Sequence, residues 1–446
     1  MAEFLIIGAD AAGLSAALQI KRKKSRSDLK VLAKGRIISY GACGIPYVLS
    51  GDIASAGSLV HFTPESFREK ADIPVETGRE AVGLYPETHE VEVKDLDSGR
   101  VYREAYGRLL IATGAVPRRL PGLEYGQTGI FTLHTVEDLT AALAFIHETN
   151  PRRAAVIGAG NVGLELVEAL HRRGMSLVVV DIIAEAAANW PQLVRRAVLD
   201  KLREKRVDFR PGTAVESAER RGKEFILKAG SGEIPADIIF SQAGTRPATD
   251  WCRDKLRTLP NGALLIDAAC RTSKEDIFAA GDCASVVHKV LGAPTHIPLG
   301  STANKLGRLA GINMAGGRLE FPGVVGTQIF KFFELSLART GLSSEDALRA
   351  GLEARAVSAK AKDKAGYFPG AADAEVEIVF EPGTGRVLGA AAVCSGNAAQ
   401  FIDPAAAAVT AGLTVRDLAW FDAAYAPPFA PVWNALVSAA FRAAGF

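Results

Sequence analysis

Two stretches of this chain carry one pattern, about 150 residues apart, and that repeat constrains the fold more than any other feature. The first is an aliphatic run, Phe4–Ile7, a glycine-bounded turn from Gly8 to Gly13, and an Ala/Leu-rich helical segment, Leu14–Lys24. The second is Ala154–Ile157, then Gly158 to Gly163, then Leu164–Arg173. Each leads to another strand-like run, Leu29–Leu32 and Leu177–Val180, as a βαβ unit requires. Glycines at these spacings permit a sharp turn and close approach of a pyrophosphate, which rests on the helix N-terminus. Two such units mean two dinucleotide sites.

The second motif is complete. Gly158-Ala-Gly160-Asn161-Val162-Gly163 fits G-x-G-x-x-G, and Asp181 ends the next strand, 18 residues after Gly163. A carboxylate there accepts hydrogen bonds from a ribose 2′-hydroxyl and repels a 2′-phosphate. No arginine follows closely, so NADH is favoured over NADPH. The first motif is imperfect. Gly8-Ala-Asp10-Ala11-Ala12-Gly13 has Asp10 in place of the second glycine, where its side chain is placed to cap the helix. Ala33 stands where a ribose-binding acid should end the second strand. Two further turns restore the dinucleotide reading. Leu109–Gly114 reads as a strand ending on Ala112-Thr113-Gly114. Asp276–Asp282 has the same form and opens into a helix around Ser301–Met314.

A chain of 446 residues, 48% hydrophobic, holds two to four domains with a large core. The net charge of +2, with both signs interspersed, leaves no nucleic-acid footprint, and the seven histidines form no metal-ligand spacing. The apolar run at Phe4 follows Glu3 and is broken by Gly8 and Asp10. It is neither a signal peptide nor a membrane span. Five cysteines, an odd and scattered set, leave at least one thiol free and favour the cytoplasm. From about Gly326 the texture changes. Alternating segments such as Glu375–Phe380 and Val387–Val393 surround helical ones, as in a separate α+β domain.

The ordered set of motifs resembles the flavin-dependent pyridine nucleotide–disulfide oxidoreductases. The resemblance implies an α/β chain with two Rossmann-like dinucleotide-binding domains and a C-terminal α+β dimerisation domain. Residues 1–115 and 246–325 would form the FAD domain, 116–245 an inserted NAD(P)H domain, and 326–446 the dimerisation domain of a homodimer. It implies FAD contacts at Gly8, Asp10, Ala11, Ala12, Gly13, Lys34, Ala81, Thr113, Gly114, Ala303 and Phe429, with Asp282 on the ribityl chain. NADH contacts fall on Gly158, Gly160, Asn161, Val162, Gly163, Glu165, Asp181 and Gly244, with Glu165 near the nicotinamide.

The chemistry falls to Cys43, in Ser39-Tyr-Gly-Ala-Cys43-Gly-Ile-Pro46-Tyr47. A thiolate is the nucleophile, and the turn before an apolar helical run is a place where a thiol pKa can fall. Ile38 and Val48 occupy the positions five residues either side, so a C-x4-C dithiol is excluded. Cys43 must cycle with an external sulfur, as a mixed disulfide or persulfide, or through a sulfenic acid. Within the family, Cys43 to Tyr47 resembles the coenzyme A disulfide and persulfide reductases. Ala11 fills the place where the oxidase and peroxidase branch carries histidine. Two segments, Gly366-Tyr367-Phe-Pro-Gly and Tyr425-Ala-Pro-Pro-Phe429, resemble the tyrosine segments of those reductases. There the tyrosines come from the partner subunit and assist the leaving sulfur. The same likeness places Arg22, Ser39, Lys70, Asn304 and Arg308 along a coenzyme A channel. The basic run Lys21–Lys24 reads more simply as a solvated helix end, and the other four cysteines as structural, Cys283 lying near the flavin. An NADH oxidase or peroxidase, and an NADH-dependent electron transferase to an iron–sulfur protein, are the rival readings.

Overall fold

The computed structural model describes residues 2–125 and 129–446. Both glycine-rich units form as parallel sheets. In the first, strands run in the order Val75–Thr77, Leu29–Ala33, Ala2–Ile7, Val101–Ile111, Ile277–Ala279, all parallel. Burial on both faces explains the unbroken aliphatic runs: Phe4, Leu5 and Ile6 are almost wholly buried. In the second, Asp208–Arg210, Ser176–Val180, Arg153–Ile157, Ile238–Ser241 and Ile130–Phe131 are likewise parallel.

The chain passes from the first sheet to the second, and back, through Ala115–Pro117 and Thr245–Pro247. These pair antiparallel as a two-stranded ribbon. The strand expected at Leu109–Gly114 is longer than its apolar core, spanning Val101–Ile111. Its polar first half pairs antiparallel with Glu90–Asp95, which pairs in turn with Arg79–Tyr85. That half alternates exposed and partly buried residues, so no continuous apolar run marks it.

Past Gly326 the architecture becomes a five-stranded antiparallel sheet, Gln328–Phe332, Leu335–Gly341, Val387–Cys394, Asp373–Phe380, Arg355–Lys362. Helices Ala399–Ala411, Val415–Ala419 and Ala435–Ala444 cover it, closing a core around Phe401, Ile402 and Leu436. No described helix is long and apolar enough to cross a membrane.

What positions the first site is a close helix pair. Ala11–Lys23 and Gly300–Met314 pack with Gly307 and Gly311 against the backbone of Ala12 and Ala16. A Cβ at Gly307 would lie 2.2 Å from the Ala12 carbonyl oxygen. Only glycine allows the late helix this near, and it brings the Gly281-Asp282 turn over the first motif. A Cβ on Gly281 would meet those of Ala12 at 3.1 Å and Ala303 at 3.7 Å.

Candidate active site

The first motif begins its helix at Ala11, with Asp10 at the N-cap. Asp10 does not cap it in the expected way: its carboxylate makes no capping hydrogen bond to the second or third helical N–H. The backbone N–H of Tyr40 donates to it instead, at 3.3 Å. Burial pushes the Asp10 pKa up to about 6, against two opposing backbone hydrogen bonds, and the carboxylate of Asp282 raises it further. Asp282 is itself raised by burial, eased by His296 and His134. Two acids more than 270 residues apart thus face one cleft. Among the described residues, no hydrogen-bond donor reaches the Asp282 side chain; His296 bonds only its backbone oxygen, at 2.9 Å.

The glycine geometry fits two dinucleotides. Gly8, at φ +116°, would set a Cβ 2.1 Å from the Ala112 oxygen, and Gly13 one 1.9 Å from the Gly8 oxygen. Gly158 and Gly163 repeat the arrangement, at 2.2 Å from Gln242 O and 2.0 Å from Gly158 O. Gly160 differs. No protein atom lies within 4 Å of its Cβ position, so the space it leaves is open to a ligand. Gly114 and Gly244 adopt positive φ at the two crossing turns, and the Thr113 hydroxyl donates to Ala248 O at 2.9 Å. Asn161, first residue of the second helix, accepts from Trp190 Nε1 at 2.6 Å; Val162 beside it is exposed. Asp181 accepts from the N–H groups of Ala159 (2.7 Å) and Ile183 (2.8 Å), which fix its carboxylate at the end of the strand.

Cys43 lies in a one-turn 3₁₀ helix, Ala42–Gly44, that runs directly into helix Ile45–Ser50. Among the described residues it is the exposed cysteine; Cys252, Cys270, Cys283 and Cys394 are buried free thiols. The thiol is open to solvent yet ringed by protein. Desolvation, then the carboxylates of Glu165, Asp282 and Asp10, raise its pKa. In the flavin-free chain the direction is therefore upward, burial first and the three acids after it outweighing the short helix that follows. Cys283 is wholly buried, its thiol donating to Ile111 O (3.3 Å) and Ala280 O (3.4 Å). It packs behind the Asp282 turn as a structural thiol.

One pairing was not foreseen. The Tyr47 hydroxyl, at the end of the cysteine segment, donates to Glu165 Oε1 at 3.1 Å, 118 residues away. Helices Ile45–Ser50 and Asn161–Arg172 pack together to bring this about. Burial drives the Glu165 pKa up to about 7, Tyr47 lowers it, and Glu168 raises it. The Tyr47 phenol is raised by burial and by Glu165. Glu168 is buried on an ion pair with Lys331 and accepts from Phe333 N–H at 2.6 Å. The sequence held the residues but no spacing signal for this cluster, because its members come from three distant segments.

Of the substrate candidates, Asn304 accepts from the Ser15 hydroxyl at 2.9 Å, and Arg308 is exposed one turn along the same helix. Arg22 is exposed on the last turn of the neighbouring first helix. Lys70 lies 5.1 Å from the Phe62 ring centroid, and Ser39 holds φ +52° in the loop leading to Cys43. Lys21 and Lys24 pair with Asp72 and Glu3, as a solvated helix end does. Lys34 pairs with Glu80 beside Ala81. Tyr425 lies beside Tyr367 and raises its phenol; Ala365 N–H donates to Pro427 O at 3.2 Å, tying their segments together. Both tyrosines and Phe429 stand on the C-terminal domain, 77%, 51% and 77% exposed.

Residues 2–305 match the pyridine nucleotide-disulphide oxidoreductase family and residues 327–436 its dimerisation domain. The chain belongs to this family. It is an oxidoreductase of the α/β dinucleotide-binding type. A NAD(P)H sulfur oxidoreductase (CoA-dependent) of Pyrococcus furiosus is 34% identical to it, covering 97% of each chain. The structure of a NAD-dependent persulfide reductase from A. fulgidus is similar at TM-score 0.94 and 33% identity, over 99% of this chain and 83% of that one. A water-forming NADH oxidase from Lactobacillus brevis is similar at TM-score 0.94 and 25% identity, over 100% and 98%.

Proposed function

We propose that this oxidoreductase uses FAD and NADH to reduce a small disulfide, persulfide or polysulfide, with coenzyme A the carrier, through Cys43. The observation that carries the reading is Cys43 itself, exposed at the meeting of both dinucleotide motifs while the other four thiols are buried. In this reading residues 1–115 and 246–325 hold FAD, 116–245 hold NADH, and 326–446 form the interface of a homodimer. Four free buried thiols are at home in the reducing cytoplasm.

The first motif, with Thr113, Gly114, Ala303 and Asp282, would hold FAD. The second, with Asp181 accepting the ribose hydroxyls and Gly244, would hold NADH; NADPH would meet repulsion at Asp181. The bound flavin supplies the step the side chains cannot, passing an electron pair from the nicotinamide to sulfur. The Cys43 thiolate attacks the substrate S–S bond, forming a new S–S bond to itself and expelling the distal sulfur as a thiolate. Two electrons then cleave the mixed disulfide, return the Cys43 thiolate and release the second sulfur, which takes up a proton. Tyr425 and Tyr367 of the partner subunit serve as hydroxyl donors to the departing sulfur. Glu165 and Tyr47 hold the nicotinamide side. Arg22, Ser39, Lys70, Asn304 and Arg308 would line the path of a phosphate-bearing carrier, the exposed Arg22 and Arg308 meeting its phosphates.

The test is anaerobic NADH oxidation by wild type and Cys43→Ser, with coenzyme A disulfide, coenzyme A persulfide, polysulfide and peroxide offered separately. Turnover on a sulfur substrate, falling at least about a thousandfold in the variant, is the expected result. A second reading, an NADH oxidase with a Cys43 sulfenic acid, draws on the likeness to the Lactobacillus brevis oxidase. Turnover on peroxide alone, or on oxygen alone once air is admitted, would establish it. Full activity without Cys43 would overturn both.

A further inference from the structure

The first dinucleotide unit lacks the acid that should meet the adenosine ribose. Ala33 ends the strand Leu29–Ala33, and a methyl group accepts no hydrogen bond. The surrounding sheet places another carboxylate at the same corner. Ala33 pairs with Thr77 on the neighbouring strand; the chain turns at Gly78, φ +67°, and starts back as Arg79–Tyr85. Glu80 is therefore three residues from the partner of Ala33. Its Oε1 lies 2.7 Å from Nζ of Lys34, the residue directly after Ala33. Ala81, a candidate flavin contact, is its neighbour in the chain.

The other acids at this corner are taken. Glu76 and Glu104 both hold Lys30, at 3.1 and 2.8 Å. Asp95 holds Arg79 at 2.9 Å, and Asp97 pairs with Arg36. Among the ion pairs of the described residues, Glu80 has Lys34 alone, and that lysine side chain is 67% exposed. An exposed lysine forms a weak pair, which leaves acceptor capacity on the carboxylate. Resting on the assignment of FAD to the first motif, we infer that Glu80, held by Lys34, is the acceptor for the adenosine ribose hydroxyls of FAD, in place of the acid missing at position 33. The carboxylate has moved from the end of one strand to the start of the next but one in the chain.

The measurement is FAD affinity of the deflavinated protein, read by quenching of flavin fluorescence, with circular dichroism confirming that each variant is folded. Glu80→Gln removes the charge and keeps the shape. Loss of a charge-assisted hydrogen bond should weaken FAD about tenfold or more. Adding Ala33→Glu to Glu80→Gln should restore affinity to within about threefold of wild type, since either carboxylate serves the same hydroxyls. Glu80→Gln binding FAD as wild type does, or no rescue in the double variant, would overturn the inference and leave the flavin assignment standing. Failure of the wild-type protein to bind FAD would remove the assignment itself. Should Glu80→Gln not fold, Ala33→Glu alone decides. It should change affinity by less than about threefold if Glu80 already serves the ribose, whereas tightening of tenfold or more would mean nothing does.

Discussion

At the scale of single residues, the site is a cluster of acids around one thiol. Asp10, Asp282 and Glu165 all raise the Cys43 pKa, and burial raises their own. The sequence marked Asp282 and Glu165 as cofactor contacts and Asp10 as a flaw in a glycine motif, but not that the three carboxylates converge on Cys43. Their meeting depends on the packing of segments more than 100 residues apart. Glu165 gives the sharpest consequence. Its pKa rises from an ordinary carboxyl value to about 7, so the folded flavin-free protein binds a proton there that the unfolded chain has lost by pH 6. Stability from this residue is full below the unfolded value near 4.5 and disappears as pH climbs through 7. Glu165→Gln keeps an acceptor for Tyr47 and removes the titration. In urea unfolding the variant and wild type should match near pH 4.5, and by pH 8.5 the variant should be more stable by roughly 3 kcal/mol. A stability difference that does not change with pH would place the shift elsewhere.

At the scale of elements, the glycines were legible because each spacing encodes a geometric need, while what they serve differs along one motif. Gly158 is a fold residue. At φ +103°, with a Cβ position 2.2 Å from Gln242 O, it brings the motif's turn against the end of the neighbouring strand Ile238–Ser241. Gly160 sits at ordinary backbone angles with open space before it. The two substitutions should therefore separate. Gly158→Ala should destabilise the protein by about 2–3 kcal/mol, read as a fall in unfolding midpoint. Gly160→Ala should change stability by less than about 0.5 kcal/mol and weaken NADH by about tenfold or more, because the methyl group occupies the space of the pyrophosphate. Equal losses of stability would show that Gly160 also serves the fold. Antiparallel strands were legible at Glu375–Phe380 and Val387–Val393, and illegible in the first half of Val101–Ile111. There polar residues on one face interrupt the apolar run that marks a buried parallel strand.

At the scale of the whole molecule, the second sheet is fixed to the C-terminal domain by charge pairs: Arg195 with Glu345 at 2.6 Å, Lys201 with Glu334, and Lys331 with Glu168. The proposed hydroxyl donors stand apart from the Cys43 cleft, on the outer face of the C-terminal domain. Tyr367, Tyr425 and Phe429 are exposed there beside Val432 and Trp433, 61% and 55% exposed, a run of apolar side chains that a second subunit would cover. The contacts of the two tyrosines are with each other and their neighbouring segments, whereas Cys43 sits on the first unit. If the homodimer brings the tyrosines of one subunit to the cysteine of the other, two inactive variants can repair each other. Cys43→Ser has no nucleophile, and Tyr367→Phe/Tyr425→Phe has no hydroxyl donors. Unfolded together and refolded as an equal mixture, half the dimers would be mixed, each with one site drawing its cysteine and tyrosines from the intact halves. Activity should rise from near zero to about a quarter of wild type. Tyrosines acting on their own subunit's cysteine would leave every site defective, and the mixture would be no more active than the average of its parts.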